Sequence, residues 1–287
     1  MTQAAGQRVS LCAGKTRPAG RLAAAGLLLL PLLTGCGSLP ALEYLPPHTP
    51  ARWLEIQPYL EFQLAGRTHY LVQPSTSAIV YLLGLVCIAA GWVFLRPLGA
   101  AARVDPAARW WGIALLLWGV GALLAGTSYE AFSYAIKCAG WQTCRWTSAW
   151  EVLYLLCSAA SVDAMVTAVA WRAAAGRLQR AVFVYAAVNL AVYAALLGLG
   201  TWIPVRFLLS FELLLVAAAP GIAACLLLNA RRWRRLRQPL DRSLLFAWAW
   251  LALTIAAYFL YLLSGLTARL WARGVWFSEN DVLHLGL

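Results

Sequence analysis

Six long apolar runs decide what this chain can become. They lie at approximately Ser77–Leu95, Trp110–Ala125, Ala149–Trp171, Ala181–Thr201, Phe207–Leu228 and Ser243–Leu263. A helix rising ~1.5 Å per residue needs about 20 such residues to cross a hydrocarbon core of ~30 Å. The runs are continuously apolar rather than alternating, which argues against a β-barrel. The chain is 62% hydrophobic and only 12% charged, where a soluble domain carries about 25% charged residues. The fold expected is therefore an all-α, polytopic transmembrane helical bundle. Past the sixth run, Asp281-Val282-Leu283-His284-Leu285-Gly286-Leu287 reads like the opening turns of a seventh helix.

The net charge of +12 sits in the connections between the runs. Arginines gather at Arg96, Arg103 and Arg109, at Arg172, Arg177 and Arg180, and from Arg231 to Arg242. These connections alternate with others poor in basic residues, the pattern that orients a membrane protein with its positive loops in the cytoplasm. The charge thus reads as topology, with the lipid bilayer as partner and no nucleic acid.

Three regions follow. Residues 1–36 carry Arg8, Lys15, Arg17 and Arg21, then an apolar run from Leu22 to Leu33. A basic n-region and a short apolar stretch describe a signal peptide. Leu33-Thr34-Gly35-Cys36 resembles the bacterial lipobox, which implies lipidation of Cys36. The alternative is an uncleaved signal anchor running to about Leu42. Both readings place the following region outside the cytoplasm of a bacterial inner membrane. Residues 37–76 hold Pro40, Pro46, Pro47, Pro50 and Pro58 beside Trp53, Tyr59, Phe62 and Tyr70. Proline disfavours a long helix and the aromatics disfavour free disorder, so an extended collar over the bundle is expected. Residues 77–287 form the bundle.

Cys138 and Cys144 flank a loop on the expected outer face, where an oxidising compartment allows a disulfide. The spacing is not C-x-x-C, so the bridge would act structurally, fixing Trp141 and Trp146 over the mouth of the bundle. Cys87, Cys157 and Cys225 fall inside apolar runs as small hydrophobes.

The acids divide by side. Glu130, Glu151, Glu212, Glu279 and Asp281 fall at or just inside the outer ends of different helices, with His284 one turn below Asp281. Helix ends on one face converge, so these six are ligand- or cation-binding candidates. Carboxylates suit a hard cation such as calcium, and a zinc-like site would need His284. The alternative is a set of separate interfacial acids paired with Arg145, Arg206 or Arg269. Glu212 is expected five residues inside its helix. Glu151 opens a stripe with Tyr154, Ser158 and Ser161 at near-helical spacing, facing protein or water. Asp163 lies deepest, and Asn189 falls at the same depth across an antiparallel hairpin. An intramembrane carboxylate costs at least about 2.5 kcal/mol, so the two are expected to form a polar pair.

The seven-helix, outside-N topology with an acid-and-histidine tail is similar to that of the ceramidase/adiponectin-receptor superfamily of membrane hydrolases. The similarity is topological and rests on no motif. Those proteins bind zinc through three intramembrane histidines, whereas this chain offers only His48, His69 and His284, two of them in the collar. No G-x-S-x-G elbow, H-E-x-x-H or P-loop occurs, and Lys15 and Lys137 are the only lysines, so no covalent lysine cofactor sits in a run. The residues name no cofactor and no catalytic group. Three functions remain open. The first is a membrane protein or subunit binding a small ligand, lipid or cation at the outer mouth. The others are a metal-dependent hydrolase acting on lipid and a proton-coupled transporter using Asp163.

Overall fold

The computed structural model describes residues 39, 42–96, 105–203 and 205–287. The leader and the lipidation candidate Cys36 lie outside the described residues. Among the described residues six helices are long and apolar enough to cross a membrane. They are α2 (Pro74–Leu95), α3 (Pro106–Ala125), α4 (Ala149–Ala173), α5 (Gly176–Trp202), α6 (Phe211–Leu236) and α7 (Pro239–Ser264). Before them come the short α1 (Pro50–Glu55) and the strands β1 (Tyr59–Leu64) and β2 (Arg67–Val72); after them come α8 (Leu266–Trp271) and α9 (Glu279–Gly286).

Local chemistry sets the ends. Proline stands in the first turn of α1, α2, α3 and α7, where its missing N–H costs nothing. Side chains of Asp105, Ser148 and Ser210 cap α3, α4 and α6, and Ser278 forms a capping box with Asp281 at α9. Helices α5 and α6 run several residues further toward the arginine-rich face than the apolar runs, because arginines there continue the helix into the polar phase. The α6 start moves the other way. Arg206–Leu209 forms a 3₁₀ turn and Ser210 caps at Phe211, so Glu212 lies exposed in the first turn rather than five residues inside.

The collar differs from the extended chain expected. Residues 59–72 form an antiparallel hairpin pairing Tyr59 with Val72 through Leu64 with Arg67. Its two-residue turn, Ala65-Gly66, has both φ angles positive, the twist that matches a tight hairpin.

Helix α4 is central, packing on α3, α5 and α6. Helices α2 and α3 touch backbone to backbone. A Cβ on Gly119 would come within 2.6 Å of the Gly84 carbonyl oxygen, and one on Gly91 within 2.8 Å of that of Gly112. Two glycine pairs seven residues apart thus make a seam without side chains. Helix α7 packs on α6 and α9, and α9 reaches back to α2. The short helix therefore closes a ring of spans at the face that carries the hairpin.

Candidate functional site

Helix α3 continues into two π-helical stretches, Gly126–Ala131 and Tyr134–Cys138. These wider turns bury Ser128, Glu130, Ser133, Lys137 and Cys138 against the bundle. Two acids at this face, Glu151 and Glu130, meet different partners.

Glu151, in the first turn of α4, forms an ion pair with Lys137, and each side chain is 1% exposed. Ser128 Oγ donates to Glu151 Oε1 at 2.9 Å. The Lys137 ammonium donates to Tyr44 Oη at 3.4 Å and lies over the Tyr129 ring, 4.7 Å from its centre. Trp53 and Tyr44 stand about it at 5.9 and 6.0 Å. Burial alone would lower the Lys137 pKa, but the Glu151 carboxylate and the Tyr44 hydroxyl offset this and hold it above the ordinary lysine value. The adjoining Cys138–Cys144 disulfide is buried and packs with Trp53. Backbone bonds tie the collar to this loop, from Cys144 N to the His48 carbonyl at 2.7 Å and from Trp146 N to that of Leu42 at 2.8 Å. The assembly is a latch: a charge pair, a bridge and aromatic rings that fasten the collar to the bundle.

Glu130 is 2% exposed, and His284 Nε2 lies 3.1 Å from its Oε1. Asn280 and Asp281 stand close to the same carboxylate. Glu130 Oε2, His284 Nδ1, Ser133 Oγ and Asp281 Oδ1 are buried without a hydrogen bond of ordinary geometry. Asp281 Oδ2 is better served, accepting from Thr76 Oγ1 at 3.0 Å and from the Ser278 N–H at 2.6 Å. Helix α9 is held by its end: the Gly286 carbonyl accepts from Trp250 Nε1 at 2.8 Å and from Thr254 Oγ1 at 3.3 Å.

His284 also forms part of the wall of an apolar cavity of about 130 Å³ inside the ring, with Tyr154, Ser158, Leu214 and Trp248. A second cavity of about 290 Å³ shares Trp118, Met165, Trp248, Leu251 and Leu287 with it. The larger one reaches between α2–α3 and α7, from Cys87 and Leu115 to Leu244 and Trp250. It is bounded toward the arginine-rich face by Trp111 against Trp248, ring centres 6.4 Å apart. The two cavities lie side by side across these shared residues, with His284 in the wall of the smaller one.

The remaining candidates stand apart. Glu279 pairs with the Thr267 hydroxyl beside α8. Glu212 is exposed. Asp163, 4% exposed, accepts from Asn189 Nδ2 at 3.1 Å on both oxygens. Arg145 stacks on Trp141, while Arg206 and Arg269 donate to the carbonyls of Glu43 and Ser264, so none of the three pairs with these acids. Among the described residues no three His, Cys, Asp or Glu side chains gather closely enough to hold a metal ion.

Two further residues hold partners that the sequence did not indicate. Lys137 is a lysine embedded in an aromatic, cysteine-flanked segment, and that setting was its signal. Asp241, fully buried at the arginine-rich face, accepts from Arg172 and Arg232. Only its place among arginines hinted at this.

These features define a multi-pass α-helical membrane protein in contact with the lipid bilayer. The chain belongs to the Family of unknown function DUF6962, whose model matches residues 75–287. The match begins at α2 and takes in every span and α9. No curated protein and no solved structure matches the chain.

Proposed function

We propose that this is a bacterial inner-membrane protein that binds a lipid-class ligand. The hairpin face is extracytoplasmic, the apolar chain of the ligand enters sideways between α2–α3 and α7, and its polar end meets Glu130 and His284. The observation that carries this reading is a buried Glu–His pair, holding polar atoms without hydrogen bonds of ordinary geometry, whose histidine stands in the wall of an apolar intramembrane cavity. Buried polar atoms of that kind are costly unless something satisfies them, and a ligand's hydroxyl, amide or ester would do so. A cavity of about 130 Å³ whose wall is mostly apolar takes apolar groups, with His284, Tyr154 and Ser158 as its polar points. Its volume suits part of a chain, and the adjoining space accommodates the rest.

The test is mass spectrometry of lipids retained by the detergent-purified chain. Wild type should carry a defined apolar or amphiphilic species. Glu130→Gln should weaken its retention by at least about tenfold, the effect of losing one charge-assisted hydrogen bond. Ala122→Phe, which fills the cavity from α3, should abolish it. An identical lipid profile in wild type and both variants, each folded, would sink the proposal.

A further inference from the structure

The arginine-rich face holds a second site, independent of the cavity above. The C-terminal end of α6 and the α4–α5 connection enclose a depression of about 620 Å³ walled by Arg172, Arg231, Arg232 and Arg235, with Leu178 and Leu236. We infer that this depression binds a phosphate group, with Arg172 and Arg232 as its fixed donors and Arg231 and Arg235 as its mobile ones.

Loop arginines on one face of a membrane protein ordinarily need no explanation beyond orientation. This set differs because two of its members are positioned. Asp241, fully buried in the first turn of α7, accepts from Arg172 Nε at 3.3 Å through one oxygen and from Arg232 Nε at 3.2 Å through the other. Gln238 Oε1 accepts from Arg172 Nη2 at 3.2 Å and from Arg232 Nη2 at 3.1 Å. Arg232 also donates to the carbonyl of Arg172, joining the ends of α4 and α6. Arg172 is thus held by its Nε edge and Arg232 through all three of its nitrogens, and both side chains remain about one-quarter exposed at the depression. An arginine fixed in this way loses little entropy on gripping an anion.

The charge balance points the same way. Four arginines line the depression and one carboxylate offsets them, leaving an excess of positive charge. Arg231 and Arg235 are exposed, one helical turn apart, and carry no ion pair among the described residues. Planar guanidinium forks match phosphate oxygens two at a time. The N-terminal turn of α5 opens on the same depression, and its first N–H groups lack a side-chain cap. Leu178 and Leu236 give the rim an apolar side, which suits a phosphate carried on a lipid headgroup at the membrane surface.

The experiment measures binding to the full chain purified in detergent, using native mass spectrometry with added phosphatidylglycerol, phosphatidylcholine or inorganic pyrophosphate. The variant is Arg231→Gln/Arg235→Gln, which leaves the Asp241 network untouched. Wild type should hold phosphatidylglycerol at least about tenfold more tightly than phosphatidylcholine, and the variant should lose that preference. Pyrophosphate bound with the same arginine dependence, in place of phosphatidylglycerol, would assign the site to a soluble phosphate compound. Equal binding of both anions by wild type and variant, or none by either, would overturn the inference.

Discussion

Glu151 and Glu130 lie on the same face, both almost sealed from solvent, and they are provided for very differently. Glu151 meets a lysine, a serine hydroxyl and a ring of aromatics, with a disulfide one residue from the lysine. Glu130 meets one histidine nitrogen and lies close to the Asn280 amide, and its Oε2 has no hydrogen bond of ordinary geometry. A carboxylate whose needs are met belongs to the architecture. One whose needs are half met, paired to a histidine in a cavity wall, is the acid the proposal assigns to a ligand. The contrast sets an acid whose partners are all present beside one that the proposed ligand would complete.

The largest effect should come from breaking the latch one-sidedly. Lys137→Met or Glu151→Gln alone should lower stability by ~3–5 kcal/mol, since either leaves a charge or its hydrogen-bonding partners buried without compensation. Lys137→Met/Glu151→Leu together should recover most of that loss, as measured by thermal unfolding in detergent. The pair also has a pH signature. The folded pKa of Lys137 is raised, so its contribution is complete below the ordinary lysine value and fades as pH climbs through the folded value. Wild type should therefore lose stability only in the strongly alkaline range, and the double variant should lack that component. A single variant as stable as wild type would erase the distinction between the two acids.

The disulfide comes next. Cys138→Ser/Cys144→Ser should cost about 2 kcal/mol, the loop-closure value for so short a ring, and should loosen the collar before the spans. Limited proteolysis should then cut within residues 42–72 while the bundle stays intact. Cleavage confined to the arginine-rich face would contradict the latch.

Glu130→Gln sharpens the contrast from the other side. Glutamine keeps an acceptor for His284, so stability should change by ~1 kcal/mol or less, while lipid retention falls. A stability loss equal to that of Glu151→Gln would make both acids structural.

These differences show where the sequence was legible. The spans were, because continuous apolar runs have one solution in a bilayer. So was the disulfide, since five residues between two cysteines in a loop joining spans leave little choice. The hairpin was hidden by the prolines that precede it. Yet Tyr59-Leu60-Glu61-Phe62-Gln63-Leu64, then Ala65-Gly66, then Arg67-Thr68-His69-Tyr70-Leu71-Val72 carries a hairpin turn between two strand-prone stretches. The sequence placed Glu130, Glu151, Glu212, Glu279 and Asp281 at the same ends of their helices but could not say which partner each would meet. Whether Glu130 or Glu151 meets Lys137 depends on the π-helical turns after Ala125, and no propensity rule announces those. The closing of the ring by α9 was equally hidden, because eight residues of weakly apolar helix carry no span signal.

The smallest effect tests the deepest acid. Asp163 and Asn189 join α4 to α5 by one amide touching both carboxylate oxygens. Hydrogen bonds between membrane helices average only ~0.6 kcal/mol, because the separated groups also find partners within the bilayer. Asn189→Leu should therefore lower stability by under ~1 kcal/mol and leave lipid retention unchanged, while Asp163→Asn should be nearly silent in both. A proton-coupled role would look different. Asp163→Asn would then abolish a pH-gradient-driven flux in proteoliposomes while Asn189→Leu only shifted its pH dependence. Separating flux from stability in these two variants decides whether the innermost acid joins helices or carries protons, and the depth of Asp163 alone argues for neither.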